Sequence, residues 1–206
     1  HAYLPIVEIP LDRPGFRRLF CSWLVRDRRT FLVDTGPARS AGALVERLKA
    51  LGLDRLDHVL LTHIHLDHAG GLGRVLETFP GARVVCHRKA VTHLADPARL
   101  WEGSRKVLGD LAEAYGPPRP VPEESLIAHD HARIPGLRVL ETPGHAPHHI
   151  SFALGGRLFA GEAAGNRFQW GEREILRPAT PPRFFLEECL GSVDRLRALD
   201  DQDLCY

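Results

Sequence analysis

A strand-sized apolar run, His58-Val59-Leu60-Leu61-Thr62, opens directly into His63-Ile64-His65-Leu66-Asp67-His68 and then Ala69-Gly70-Gly71. No other stretch restricts the fold as much. A short apolar run bounded by polar residues is a buried strand, so four potential metal donors are delivered together at its C-terminal end. The i, i+2 spacing of His63 and His65 lets two imidazoles aim at one point. Asp67 and His68, four and five positions on from His63, turn towards a second point nearby. Imidazole and carboxylate together suit Zn, Fe or Mn. Histidines also cluster by chance on solvated loops, but three of them plus an aspartate, set between a buried strand and a glycine pair, are too ordered for that.

The rest of the chain supplies strands and helices in alternating groups. Leu19 to Val25 and Thr30 to Val33 flank the charged turn Arg26-Asp27-Arg28-Arg29, which makes them a hairpin, and Asp34-Thr35-Gly36-Pro37 stops it. Ala43, Leu44, Leu48 and Leu51 recur at helical spacing, with Gly52 as the C-terminal cap. Leu72, Val75, Leu76 and Phe79 mark another helix, and Ala82 to Cys86 another strand. Residues 88–135 change character. A helix starts at Asp96-Pro97 and carries Leu100, Val107, Leu108 and Leu111 up to Tyr115. Gly116-Pro117-Pro118-Arg119-Pro120-Val121-Pro122 then breaks regular structure. This stretch is too short for its own core and is expected to be an insertion or cap. Strands resume at Leu137 to Leu140 and at His149 to Leu154, which the Gly155-Gly156 turn joins to Arg157 to Ala160. A last helix over 184–199 carries Leu186, Leu190, Val193 and Leu196. Two runs of strands, each followed by helices, predict sheet on sheet with helices outside.

Composition narrows the function classes. With 206 residues, 44% hydrophobic and 26% charged, the chain has the size and balance of one globular domain. Lys and Arg (27) nearly cancel Asp and Glu (26), so no global field recruits nucleic acid or an anionic membrane. No apolar run approaches the roughly 20 residues of a membrane-spanning helix. The four cysteines are scattered without a C-x-x-C pair, which favours a reducing compartment and makes them small core residues. No secretory signal is visible, so a cytoplasmic location is expected. The absence of methionine and the opening at His1 are not expected of an untouched gene product read from its start codon; a tag remnant, truncation or omitted modified residues would each explain them.

The H-x-H-x-D-H run after a buried strand resembles the signature of the metallo-β-lactamase fold superfamily. Asp34-Thr35-Gly36 looks like that family's D-T-G turn, Thr142-Pro143-Gly144-His145 like its T-P-G-H turn, and Gly161-Glu162 falls where the family has Gly-Asp. The resemblance spans residues 20–206. It implies an α/β fold, the four-layer αββα sandwich of the metallo-β-lactamase type. That fold would form one domain over residues 1–206, with the helical cap insertion at about 88–135. It also implies two divalent transition-metal ions, zinc first, with iron or manganese as alternatives. His63, His65 and His145 would hold one, Asp67 and His68 the other, and Glu162 would be shared. The family's sixth ligand is a histidine shortly after a late strand. Asp203 to Tyr206 look like that strand, so the chain is expected to be truncated just before the ligand; the alternative is a weakly held second metal.

The chemistry implied by the resemblance is hydrolysis by a metal-bound hydroxide, with Asp67 as ligand and as the group exchanging a proton with the leaving group. Asp34 is a candidate support for the ligands, or a simple turn residue. A nuclease would carry a basic arm, which is missing. A flavodiiron reductase has glutamate where this chain has His65, and an exported β-lactamase would show a signal. What remains resembles glyoxalase II and the lactonases: a hydrolase of a small ester, thioester or lactone. The alternatives are a diiron oxygen-binding or redox protein on the same fold, or a phosphodiesterase. The partner implied is a small-molecule substrate, without nucleic acid or membrane, and the oligomeric state is not set by the sequence. One of His148 and His149 could support the site. His58, His87, His93, His129 and His131 are expected on the surface or in packing. Trp101, Tyr115, Phe168 and Trp170 could line a pocket or belong to the core.

Overall fold

The hairpin at Arg26 to Arg29 joins the second and third strands of a six-stranded sheet. In the computed structural model, which describes residues 6–11, 20–181, 184–199 and 203–205 with the side chains of 6 and 168–170 excepted, the chain forms two compact units, 1–132 and 133–206. The first contains β1 (Ile6–Ile9), β2 (Phe20–Arg26), β3 (Thr30–Val33), β4 (His58–Leu60), β5 (Arg83–Cys86) and β6 (Leu126–Ala128), paired in that order. β1, β2 and β3 are antiparallel, and β3 to β6 run parallel. Parallel strands need crossover connections. These are α1 (Ala41–Ala50) before β4, α2 (Leu66–Ala69) and α3 (Leu72–Thr78) before β5, and α4 (Val91–Ala95), α5 (Ala98–Leu108) and α6 (Asp110–Tyr115) before β6.

Helix α1 shows how local chemistry sets these elements. Its buried face is Ala41, Leu44, Val45 and Leu48. It ends in a Schellman arrangement: Gly52 N–H donates to Lys49 O (2.8 Å) and Leu53 N–H to Leu48 O (3.1 Å). Gly52 takes φ +71°, the left-handed conformation that makes it the expected cap. The stretch expected to be a cap is built into the first unit as far as residue 132. Leu94, Ala112, Tyr115 and Val121 join its core, and β6 extends its parallel sheet through the pairing Val85↔Ile127. Of the candidate pocket aromatics, Tyr115 is buried edge-to-face on Phe20 (5.5 Å, 83°), and Trp101 packs against the same core. The side chains of Phe168 and Trp170 lie outside the described residues.

The second unit contains β7 (Leu137–Glu141), β8 (Ile150–Leu154), β9 (Arg157–Phe159), the hairpin β10 (Asn166–Trp170) and β11 (Arg173–Arg177), α7 (Leu186–Arg197) and β12 (Asp203–Cys205). Its sheet runs β12-β9-β8-β7, and the C-terminal run expected to be a strand pairs parallel with β9. The hairpin had no signal in the sequence because every residue of β11 is exposed, so no apolar alternation marks it. Helix α7 differs from expectation in its orientation. Leu196 is buried, but Leu186 and Leu190 are 59% and 55% exposed, and Ser192 is fully buried with its Oγ donating to Pro143 O (2.6 Å). The cause is a close approach at Gly144, which has φ +129°. A Cβ there would lie 2.5 Å from the Cα of Cys189, so the backbone of α7 sets the face it presents.

None of the four cysteines is in a disulfide. Burial pushes the Cys86 thiol up to about 12 and the Cys205 thiol up to about 11, which makes both packing residues and not nucleophiles. No helix among the described residues is long and apolar enough to cross a membrane.

His58, at the start of β4, stacks on Phe31 (5.3 Å, 18°), and its buried Nδ1 has no hydrogen-bond partner among the described residues. Burial, followed by the nearby Arg29, holds its pKa below the ordinary 6.5. The folded protein therefore favours neutral imidazole, while the unfolded chain takes up the proton more readily. The stabilisation is complete above about pH 6.5 and is lost as pH falls through the lower folded value. A His58→Phe variant, which keeps the stacking, is expected to gain stability relative to the parent between pH 7 and pH 5. Urea unfolding of both proteins across that range checks this; a pH-independent difference would contradict it.

Candidate metal centre

In the first unit, the donor run follows β4 as an extended segment and then a helical turn. Ile64 and Leu66 bury in the core, which fixes the intervening His65 between two anchors. His65 has extended backbone (φ −60°, ψ 151°) and precedes α2, whose turn closes with His68 N–H and Ala69 N–H both donating to His65 O. The glycine pair is a requirement of close approach. A Cβ on Gly70 would lie 2.4 Å from Leu66 O and 2.7 Å from Ala38 N, and one on Gly71 would lie 2.6 Å from Thr35 O. Gly71 N–H donates to Gly36 O, and Thr35 donates to His68 O through both N–H (2.7 Å) and Oγ1 (3.0 Å). The D-T-G turn is therefore the clamp on the donor run.

Asp34 is the centre of that clamp. It is buried at φ +55°, the sole non-glycine residue with positive φ among the described residues. Its carboxylate accepts from Thr62 N–H, from Thr62 Oγ1 and from His68 Nδ1, each at 2.8 Å. These bonds fix tautomers by elimination. Thr62 spends its hydroxyl proton on Asp34, so at His63 Nδ1 (3.1 Å) it accepts, and His63 presents Nε2 as a lone pair. His68 gives its Nδ1 proton to Asp34 and likewise presents Nε2. His63 Nε2 lies 3.1 Å from His65 Nδ1, and His68 Nε2 lies 3.9 Å from Asp67 Oδ2. The hydrogen bond on each ring's other nitrogen is the usual means of orienting a metal-binding histidine.

The second unit repeats the device. His145, 5% exposed, donates Nδ1–H to Ala179 O (3.1 Å) and turns Nε2 to within 2.8 Å of Glu162 Oε2. The other carboxylate oxygen, Oε1, accepts from Asn166 Nδ2 (2.8 Å). With Nδ1–H given to Ala179, a neutral His145 leaves Nε2 an acceptor beside a carboxylate oxygen, and either a proton on Nε2 or a cation shared by the two atoms accounts for this distance. Two donors on one tetrahedral zinc, with bonds of about 2.0–2.1 Å, stand about 3.3 Å apart. The three pairs, at 3.1, 3.9 and 2.8 Å, bracket that spacing. The residues present fit a transition-metal centre.

Thus the structure brings His63 to His65, Asp67 to His68, and His145 to Glu162. His87 and His129 are packing residues. They are buried, stack at 4.7 Å and 16°, and accept backbone N–H bonds from Lys89 and Arg88 on Nδ1. His131 is exposed. Asn166 and Thr142 were not singled out from the sequence. Asn166 sits in the hairpin that carries no apolar pattern, and Thr142 gave no signal beyond its place in the T-P-G-H turn.

A family model described as the metallo-beta-lactamase superfamily matches residues 16–206. The metallo-beta-lactamase fold-containing protein ST1585 of Sulfurisphaera tokodaii is 31% identical over 194 residues, 90% of this chain and 70% of that protein. A hydroxyacylglutathione hydrolase of Aeromonas hydrophila is 30% identical over 203 residues, 98% of this chain and 63% of its own length. The chain thus spans about two thirds of these relatives. Among solved structures, ST1585 from Sulfolobus tokodaii, an archaeal metallo-beta-lactamase superfamily protein, has a TM-score of 0.80 at 27% identity. It covers 98% of this chain and 77% of that one. The B3 metallo-beta-lactamase BLEG-1 has a TM-score of 0.64 at 26% identity, covering 92% and 84%.

Proposed function

This chain belongs to the metallo-β-lactamase superfamily, and from that premise we propose that it is a metal-dependent hydrolase of a small ester, thioester or lactone. The observation that carries the proposal is the elimination of tautomers: His63, His68 and His145 each have Nδ1 engaged and Nε2 directed at another donor. We take residues 1–206 as one domain of the superfamily's α/β type. We assign His63, His65 and His145 to one metal, Asp67 and His68 to a second, and Glu162 to both. When bound, two divalent ions, zinc first, would supply Lewis acidity and acidify water enough for hydrolysis at neutral pH.

The chain's own residues do the rest. Asp34 and Thr62 hold His63 and His68 in register. Asn166 holds one oxygen of Glu162, so the other keeps its place beside His145. Asp67, one residue before His68 and only partly buried, carries the proton exchanged with the leaving group. The hydroxyacylglutathione hydrolase relatives favour a thioester over the other acyl substrates. Cysteines held as thiols and small-molecule chemistry go with a cytoplasmic location.

A screen of zinc-loaded protein against thioesters, lactones and phosphodiesters tests this. Turnover of thioesters or lactones above phosphodiesters is expected. Preference for phosphodiesters, or oxygen consumption by iron-loaded protein without any hydrolysis, would overturn it.

A further inference from the structure

The buried polar groups behind Glu162 form a chain whose every proton is placed by its neighbours. Glu162 N–H donates to His149 Nε2 (3.1 Å), so that nitrogen is an acceptor and the ring's proton is on Nδ1. His149 Nδ1 is 2.9 Å from Thr142 Oγ1, which therefore accepts. Ser151 Oγ donates to Ala160 O (3.1 Å), so at Thr142 Oγ1 (2.8 Å) Ser151 accepts and Thr142 donates. His149 is 1% exposed, and Thr142, Ser151 and Ala160 are fully buried. The chain begins on the backbone of Glu162 and ends on the carbonyl of Ala160. It joins three places: the turn carrying Glu162, strand β8, and Thr142 at the head of the turn carrying His145. The β7–β8 register Leu140↔Ser151 and Glu141↔Ile150 brings Thr142 across from His149, and Thr142 N–H donates to His149 O (3.1 Å).

We propose that His149 is a positioning residue for the metal centre: a neutral imidazole with its proton fixed on Nδ1, holding the backbone of Glu162 and through it the carboxylate. This rests on the assignment of Glu162 as a metal ligand made above. An imidazole suits the task because it offers one acceptor and one donor on opposite sides of a rigid ring. A flexible side chain would satisfy the same two groups without fixing their separation. Buried networks with every member satisfied rigidify their surroundings, and here the rigidity is delivered to Glu162 and to the turn that carries His145.

The test measures zinc affinity at each site by competition with a chromophoric chelator, alongside the Tm of the metal-free protein. His149→Ala is expected to weaken both sites, since Glu162 is assigned to both, with the more dependent site losing about 10- to 100-fold, the usual loss when a ligand's support is removed. His149→Gln, which retains an acceptor and a donor on a flexible stem, is expected to recover only part of the loss. Thr142→Val, which removes the partner of Nδ1–H, should shift the same sites in the same direction and serves if His149→Ala does not fold. A core variant of the same strand, Phe152→Leu, should lower Tm and leave both affinities as in the parent. Equal weakening by Phe152→Leu and His149→Ala, or unchanged affinities in His149→Ala, would overturn the proposal. Glu162→Gln is measured in parallel. If it weakens a site while His149→Ala does not, the positioning role alone fails; if it weakens neither, the ligand assignment fails and the positioning role with it.

Discussion

Alanine at position 65 or at position 145 is expected to lower kcat/KM for the best substrate by about a thousandfold or more, equivalent to about 4 kcal/mol of transition-state stabilisation. Each histidine directs one nitrogen at another donor: His65 Nδ1 at His63 Nε2, and His145 Nε2 at Glu162 Oε2. Removing either leaves the remaining donor of its pair without the geometry that fixes a metal. The expected loss is in metal content first and in turnover as a consequence. His131→Ala is the control, because that imidazole is 80% exposed. His129 would be a poor one, since it is buried against His87 and its replacement would cost packing. Comparable losses at 65, 145 and 131 would show that these histidines do not form the site.

Asp34→Asn is expected to produce the second large effect. Asparagine tolerates the positive φ that Asp34 adopts, so the backbone of the turn survives. The amide nitrogen, however, is a donor where the carboxylate accepts from Thr62 and His68. His68 then loses the bond that sets its tautomer. Affinity for the second metal should fall about 10- to 100-fold, with hydrolysis following. The buried donors left unpaired should cost about 1–3 kcal/mol of stability. Metal titration and urea unfolding separate the two effects; lower stability with unchanged metal affinity would make Asp34 a turn residue and nothing more.

The donor residues were legible because the chemistry is concentrated in short segments. His63 to His68 follow a strand within a few positions, and Gly144-His145 and Gly161-Glu162 each sit in a turn with a glycine at positive φ. The supports were less legible because they are made by register. Asp34 reaches Thr62 and His68 since β3 and β4 are parallel neighbours, with Val33 opposite Leu60. Thr142, His149 and Ser151 meet through the β7–β8 pairing. Neither adjacency is written in local sequence. Elements with little apolar contrast were missed for a related reason. β6 is three half-buried residues between two 3-10 turns, and β11 is exposed throughout. On α7, the apolar spacing pointed to Leu186 and Leu190 as buried positions. The contact between Gly144 and the backbone at Cys189 turns the helix to bury Ser192 and Leu196 instead.

Elemental analysis of protein purified without chelator tests the central claim most directly. Donor pairs at 3.1, 3.9 and 2.8 Å, with the far nitrogens of His63, His68 and His145 already engaged, predict close to two transition-metal ions per chain. Protein that carries no metal, and takes up none when zinc is supplied, would contradict the account.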